Sequence, residues 1–238
     1  MKRGDYFLKL DSITRAILIG CILTTFAIAA GGGPLETTLA SMDQSAAKFT
    51  GLSADLRRAH HTAVINEDTL DIGTILIKRP KPHDTRMLID VKQPDPKQAA
   101  IDSRKLQIYE PKSQIVTEYD LGKYRAMVDE YLLLGFGNSS KELQNSYSIA
   151  LGGPETLGGE KTTRLELIPK TQEALAHLKR VDLWISDTTG LPVQQKFYLP
   201  GGDYDLATFS NMKLNPNLPD SAVKLDLPRN VKREYPQK

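Results

Sequence analysis

The sequence predicts an α+β protein built mainly from antiparallel β-strands, which form a curved, half-open β-barrel with a helical lid over an apolar cavity. Three observations support this fold class. From Leu70 onward, apolar residues alternate with polar ones, as in half-buried strands. Turn residues such as Pro80-Lys81-Pro82 and Pro200-Gly201-Gly202 separate the alternating segments. Two segments with helical spacing interrupt the strands, and a third precedes them.

Eleven short segments have the pattern of strands. Their connections are too short for parallel crossovers, so consecutive strands are expected to run antiparallel. A twisted open sheet of more than about ten strands curls, and a partly open barrel keeps room for a ligand. A β-sandwich is the alternative arrangement. The predicted strands are 70–79, 85–91, 97–101, 105–109, 113–119, 145–150, 162–168, 180–186, 191–199, 204–211 and 222–226.

Three helices are predicted. The first begins near Leu35, and its apolar residues recur at three- and four-residue steps; after a kink at Gly51 it continues to about Arg58. Its apolar face consists of Leu35, Leu39, Met42, Ala46 and Phe49. The second helix, 124–134, has an apolar stripe formed by Tyr124, Met127, Val128, Tyr131 and Leu132. Either stripe can face a ligand or pack in the core. The third helix spans 171–178, with Thr171 as its N-cap.

The first 29 residues have the order of a secretory signal peptide. Lys2, Arg3, Lys9 and Arg15 come first, followed by an apolar run over 16–30 that contains Ala27-Ile28-Ala29. We therefore expect a signal peptide at 1–29 and a single domain at 30–238 in the periplasm. Two alternatives are lipid attachment at Cys21 and an uncleaved anchor, although the apolar run is shorter than the roughly 20 residues that span a membrane.

Charge and cysteine content exclude several classes of protein. Residues 1–29 contain four of the 31 basic residues and two of the 29 acidic residues, so residues 30–238 hold 27 of each. A neutral chain without a basic face argues against a nucleic-acid partner. Because Cys21 is the only cysteine, no disulfide framework can stabilise residues 30–238, and stability must come from an apolar core.

No motif indicates an enzyme. His60-His61 and His83 lack the spacing of metal ligands, and the chain contains no Gly-x-Ser-x-Gly nucleophile motif. The glycine pairs at 152–153 and 158–159 flank a predicted hairpin and lack the strand-to-helix context of a phosphate loop. We therefore predict a protein that is not an enzyme and that uses no metal and no cofactor.

Several stretches of the sequence resemble, in order, the LolA lipoprotein-carrier family. The first is a strand that ends in Lys-Arg-Pro, and the others are a Gln-Pro turn, two hairpins and a closing strand. The likeness covers nearly all of 30–238, and this collinearity is more specific than any single motif. The stretches are 75–80, 93–94, 101–111, 183–192, 209–211 and 225–228. Ser103 and Ala46 depart from the family, which has a hairpin glycine and a lid leucine at these positions.

The resemblance implies a curved antiparallel sheet around an apolar cavity with a helical lid. It also implies a carrier for acylated lipoproteins, which receives them from an inner-membrane lipoprotein-releasing transporter and passes them to an outer-membrane acceptor. In this family an arginine at the position of Arg79 hydrogen-bonds the lid helices and gates the cavity. The candidate cavity residues are Leu39, Met42, Phe49, Ile75, Ile77, Met127, Val128, Tyr131 and Leu132.

Other functions compete with that of a soluble carrier. An envelope-stress sensor would use the same half-barrel with an additional C-terminal domain, but the sequence ends soon after Leu227-Pro228. An outer-membrane-anchored lipoprotein receptor would need a lipid at Cys21. A hydrolase would need a nucleophile site, which the motifs do not provide.

Overall fold

The computed structural model describes residues 32–81, 84–122, 125, 128 and 133–236. Gly32–Lys238 forms one compact unit. The predicted signal peptide lies outside the described residues. In the part of the chain that is described, no helix is both long enough and apolar enough to cross a membrane.

One twelve-stranded sheet dominates the unit. The strand order is β12-β6-β5-β4-β3-β2-β1-β11-β10-β9-β8-β7, and every neighbouring pair is antiparallel except β12 with β6. Because the two ends of this order do not pair within the described residues, the sheet is open, and the predicted fold class is confirmed. The strands are β1 (Gly51–Thr62), β2 (Glu67–Lys81), β3 (Asp84–Gln93), β4 (Lys97–Asp102), β5 (Lys105–Glu110), β6 (Ile115–Asp120), β7 (Tyr147–Leu157), β8 (Glu160–Pro169), β9 (Arg180–Ser186), β10 (Pro192–Tyr198), β11 (Tyr204–Leu214) and β12 (Lys232–Glu234).

Three helices with both ends among the described residues accompany the sheet: α1 (Pro34–Lys48), α2 (Ser140–Ser146) and α3 (Gln172–His177). The predicted N-cap of α3 is present, since the Thr171 side chain accepts a hydrogen bond from the backbone N–H of Ala174 at 3.2 Å. Of the predicted helix 124–134, Arg125 and Val128 are helical.

The continuation of the first helix to Arg58 was wrong. The helix ends at Lys48, and Leu52 and Leu56 belong to β1, a central strand that pairs with both β2 and β11. A spacing of four residues fits a helix and a strand alike. In the structure, Leu52, Ala54 and Leu56 are buried at every second position, which is the period of a strand.

The last predicted strand, 222–226, was also wrong. Asp220–Val223 forms a 3-10 turn instead, in which Val223 is completely buried. Lys78 of β2 holds this segment by donating a hydrogen bond to the backbone oxygen of Leu218 at 2.7 Å. The last strand of the structure is β12, which is three residues long and pairs with β6. The other ten predicted strands correspond to β2–β11.

The core consists of two apolar clusters on one face of the sheet. The first cluster includes a row across four strands, in which Ile77, Met87, Ile101 and Leu106 are successive cross-strand neighbours. The second includes a row from β7 to β10, formed by Ile149, Leu167, Val181 and Phe197. Two rows of this kind are the expected product of period-two alternation in paired strands.

Candidate functional site

Arg79 lies near the end of β2 and contacts two other segments of the chain. Its Nη1 donates a hydrogen bond to the backbone oxygen of Gly137 at 2.8 Å, and its Nη2 donates to the backbone oxygen of Ala46 at 3.4 Å. Its guanidinium carbon lies 5.3 Å from the centre of the Phe49 ring, within range of a cation–π interaction. One half-buried side chain therefore joins the sheet to α1 and to the loop before α2.

The local backbone explains why these groups meet. The backbone oxygen of Ala46, in the last turn of α1, accepts a hydrogen bond from the backbone N–H of Phe49 at 3.2 Å and has a second lone pair that accepts from Arg79. Gly137 has a φ of +72°, and a Cβ atom there would lie 2.6 Å from Cδ1 of Phe49 and 2.8 Å from Nη1 of Arg79. Only glycine fits this position without displacing either side chain.

The C-terminal end of α1 is fixed by a second side chain, that of Asn215. Its Nδ2 donates to the backbone oxygen of Lys48 at 2.7 Å, and its Oδ1 accepts from the backbone N–H groups of Thr50 and Gly51 at 2.7 and 3.2 Å. Gly190 lets the middle of α1 approach the β9–β10 turn closely, since a Cβ atom there would lie 2.5 Å from the backbone oxygen of Ser41.

The structure divides the candidate cavity residues between the two core clusters. Phe49, Ile75 and Ile77 belong to the first cluster, and the partly buried Val128 packs against it. Leu39 and Met42 belong to the second cluster. The remaining candidates, Met127, Tyr131 and Leu132, lie outside the described residues. The five buried candidates are all packed against other core residues, and in this conformation α1 covers the part of the apolar face formed by β7–β10.

A cleft of 1310 Å³ lies elsewhere, between β4–β6 and the C-terminal segment. None of the candidate cavity residues lines it. Its lining mixes apolar with charged side chains, and no local sequence pattern marks it because its two walls are more than 100 residues apart in the chain. The lining residues are Ala100, Asp102, Ser103, Arg104, Lys105, Gln107, Glu118, Tyr119, Asp120, Leu121, Gly122, Val223, Lys224, Leu225, Leu227, Arg233 and Tyr235.

Charged side chains pair along this cleft. Glu118 pairs with Lys105 at 3.2 Å and with Arg233 of β12. Burial by itself would raise the pKa of Glu118, but hydrogen bonds and charge attraction from Lys105 and Arg233 hold this pKa below its ordinary value. A backbone hydrogen bond from Gly122, aided by Arg104, lowers the pKa of Asp120. Of these contacts, the pair of Glu118 with Arg233 attaches the C-terminal segment to the sheet.

The two adjacent histidines make separate contacts. The Nδ1 of His60 lies 3.0 Å from Oδ1 of Asp205, and the Nδ1 of His61 lies 2.7 Å from Oδ1 of Asp68. The ring of His61 also stacks on Tyr204. Across residues 32–81, 84–122 and 133–236, no group of three or more histidines and carboxylates has a geometry that could hold a metal ion.

The described residues thus form an open antiparallel sheet with one apolar face, on which α1 and α2 pack and to which Arg79 joins α1. The chain belongs to the family of the outer membrane lipoprotein carrier protein LolA, whose model matches residues 50–226. This membership supports a carrier-type role in lipid binding and a place in the cell envelope. Members of the family are carriers or binding proteins.

Solved structures with similar folds differ widely from this chain in sequence. An uncharacterized conserved protein from Thermus thermophilus is 12% identical with a TM-score of 0.52, over 84% of this chain and 98% of that protein. MucB is also 12% identical, with a TM-score of 0.51 over 82% of this chain. The chain spans only 64% of the length of MucB. No curated protein sequence matches the chain. At this level of identity, the likeness shows the fold alone.

Proposed function

We propose that this protein is a periplasmic carrier that shields the acyl chains of lipoproteins against the apolar face of its sheet and delivers them toward the outer membrane. The contact of Arg79 with Ala46 and Gly137 is the observation that carries the proposal, since it holds α1 over that face. Burying one methylene group is worth about 0.8 kcal/mol, so a long acyl chain binds strongly and its release needs a competitor. A helical lid that occupies the same apolar residues competes with the cargo.

The proposed partners are acylated lipoproteins, an inner-membrane lipoprotein-releasing transporter and an outer-membrane acceptor. The proposed mature carrier comprises residues 30–238, after removal of a signal peptide at 1–29. The mass of the purified protein's N-terminus tests this part of the proposal. We expect a soluble protein that begins near Ala30. A diacylglyceryl group on Cys21, together with recovery in the membrane fraction, would instead indicate an anchored receptor.

Binding of apolar ligands tests the proposed cavity. We expect the protein to bind an apolar fluorescent probe or an acylated peptide at a ratio of one to one, without metal or nucleotide. The titration is followed by fluorescence, with circular dichroism to verify that the fold is intact. A folded protein without saturable binding would contradict the carrier function.

Transfer of a labelled lipoprotein from the carrier to its acceptor tests the role of Arg79. Hydrogen bonds of a charged group contribute about 1.5–3 kcal/mol, so Arg79→Leu should shift the lid equilibrium toward the open state by about tenfold or more. We expect this variant to retain cargo longer and to transfer it more slowly. Arg79→Lys should be intermediate, because an ammonium group keeps the charge and loses the planar fork.

An arginine on the exposed surface provides the matched control. Arg57 of β1 is exposed, so Arg57→Leu removes the same group from the same sheet without touching the lid. We expect Arg57→Leu to transfer cargo at the parent rate. Equal transfer and retention by Arg79→Leu would contradict the gating role. If the parent binds acylated peptides but passes none to an acceptor, a sensor of lipoproteins replaces the carrier as the favoured function.

A further inference from the structure

A second contact joins α1 to α2, separate from the contacts of Arg79. Asp43 lies in the third turn of α1, and Ser140 is the first residue of α2. The Oδ1 of Asp43 accepts a hydrogen bond from the backbone N–H of Ser140 at 2.6 Å, and its Oδ2 accepts from the Ser140 hydroxyl at 2.7 Å. Both residues are half-buried. Two short hydrogen bonds to one carboxylate fix both the distance and the relative orientation of Asp43 and Ser140.

This contact is not needed to form α2, because the short helix already has a cap of its own. Ser139 accepts from the backbone N–H of Glu142 at 3.2 Å, and Glu142 accepts in return from the backbone N–H of Ser139 at 2.7 Å. The pair is a complete capping box. The Asp43 carboxylate therefore connects α1 with a helix that already has its own N-terminal cap.

The residues beneath the contact belong to one apolar cluster. Leu39 and Met42 of α1 and Leu143 of α2 are all buried in the second core cluster. A movement of either helix alone would open this cluster and leave the other helix half covered. The contact between Asp43 and Ser140 thus lies where it can make the two helices move together.

We infer that Asp43 is a positioning residue that couples α1 to residues 137–146, so that the two segments open as one lid. The link with cargo rests on the proposed function. Arg79 bonds Ala46 in one segment and Gly137 in the other, so the loss of its contacts frees both at once. Asp43 then keeps the freed segments together. The lid consequently opens in one step, and no intermediate with a single open helix accumulates.

Hydrogen–deuterium exchange of the whole chain measures this coupling without any cargo. In the parent we expect the amides of α1 and of residues 138–146 to exchange with a common opening rate. Asp43→Ala should accelerate both segments by at least fivefold and leave β9 unchanged. The direction of the change in exchange rate is informative, because alanine is the best helix former and its helix propensity alone would slow exchange in α1. Gln44→Ala, at the exposed neighbouring position, is the control without effect on residues 138–146.

Two further variants make the test independent of a general loss of stability. Asp43→Asn keeps an oxygen acceptor without the charge and should accelerate both segments about twofold. Ser140→Ala removes only the hydrogen bond of the hydroxyl group. In the double variant it should accelerate exchange little beyond Asp43→Ala, because the two side chains act through one contact. Acceleration confined to α1, or slower exchange in Asp43→Ala, would overturn the coupling.

Binding of an apolar fluorescent probe by the same variants separates this inference from the proposed function. If both segments open faster in Asp43→Ala than in the parent but neither protein binds the probe, the coupling is supported and the carrier function is refuted. If the parent binds the probe but only α1 opens faster in Asp43→Ala, the coupling is refuted and the carrier function is supported. If both hold, Asp43→Ala should bind the probe several-fold faster than the parent and than Gln44→Ala.

Discussion

The two halves of the sheet are covered to different extents. In the half from β7 to β10, α1 and α2 pack on the apolar face, and six of the seven residues of β9 are buried. In the half from β2 to β6, Ile89 and Leu106 of the apolar face are only partly buried, whereas in the other half partial burial is found at Ile149 of the outermost strand β7. The comparison indicates that the first half is the more tightly packed in this conformation, and we propose that the second half receives the apolar ligand.

The opposite face of the sheet repeats this difference. Beneath β8–β10, the carboxylate of Asp182 is only 1% exposed and its Oδ2 accepts from Arg164 at 3.2 Å, from Arg180 at 3.3 Å and from the Tyr198 hydroxyl at 3.0 Å. Across β5, β6 and β12, Glu118 pairs with the well-exposed Lys105 and Arg233. A buried charge with several partners is costly to disturb, whereas exposed partners contribute little.

Truncation of one core leucine in each half should give the largest contrast. Leu183→Ala removes a completely buried side chain and should lower the free energy of unfolding by about 4 kcal/mol, while Leu106→Ala should cost about 1–2 kcal/mol because its site is already partly open. Urea unfolding followed by circular dichroism measures both values. Equal costs would show that the half from β2 to β6 is as well packed as the other half.

Removal of a charged group should also lower the free energy of unfolding more in the half from β7 to β10 than in the half from β2 to β6, but by less than removal of a core leucine. Asp182→Ala removes the most buried partner of Arg164 and Arg180. We expect it to cost about 3 kcal/mol, the low end for a buried pair, because the arginines are partly exposed and both still pair with Glu166. Glu118→Ala should cost about 1 kcal/mol. The same unfolding experiment at neutral pH compares them. A larger cost for Glu118→Ala would mean that β12 is essential to the fold.

Acid should remove the contribution of Glu118, and comparison with Glu118→Gln separates this contribution from those of the other carboxylates. Its pKa in the folded protein is lowered below the ordinary value of about 4.3. In the pH range between these two pKa values the unfolded chain binds more protons, so stability rises with pH there. The contribution is therefore complete above about pH 4.3 and is lost as pH falls through the folded pKa. Unfolding of the parent and of Glu118→Gln at pH 7 and at pH 3 measures it. We expect the gap between the two proteins to shrink at pH 3, and a constant gap would contradict this assignment.

The strands were predictable from the sequence because most of them bury one face. Alternation in β2–β11 follows directly from that burial. The start of β1 was not predictable, because Leu52 and Leu56 fit both periods and only pairing with β2 and β11 distinguishes them. The helix α2 carried a signal that was overlooked, since Ser139 followed three residues later by Glu142 is the pattern of a capping box.

The candidate site was predictable only in part. The resemblance pointed to Arg79, but its acceptors are the backbone oxygens of Ala46 and Gly137, and no residue type in a sequence identifies a backbone acceptor. The contact of Asp43 with Ser140 joins positions 97 residues apart and involves a backbone N–H as well. The large cleft depends on the docking of the C-terminal segment, which has no periodic signal. Local patterns thus predict elements, and long-range contacts to the backbone have to be observed.

The smallest predicted effect concerns the β4–β5 turn, in the less covered half of the sheet. Asp102 pairs with Lys105, and Ser103 between them has a φ of +54°, a conformation that costs a residue other than glycine about 1–2 kcal/mol. Glycine is favoured at the first position of such a two-residue hairpin, although its greater freedom in the unfolded chain offsets about 0.5–1 kcal/mol of the gain. Ser103→Gly should therefore raise the free energy of unfolding by about 0.5–1 kcal/mol.

Ser113 of the neighbouring β5–β6 turn is the matched control, because it is an exposed turn serine without a positive φ. Ser113→Gly should lower the free energy of unfolding by about 0.5–1 kcal/mol, mainly through the unfolded chain, since the exposed Ser113 hydroxyl makes only long hydrogen bonds to Glu110, at 3.3 and 3.4 Å. Urea unfolding of both variants gives the difference in sign. Destabilisation of the same size in both would show that Ser103 is not strained and that the turn accepts serine as well as glycine. Opposite signs for the two variants would show that the φ of Ser103 is strained. Ser103→Gly would then stabilise the half from β2 to β6 without changing the apolar face on which the cargo is proposed to bind.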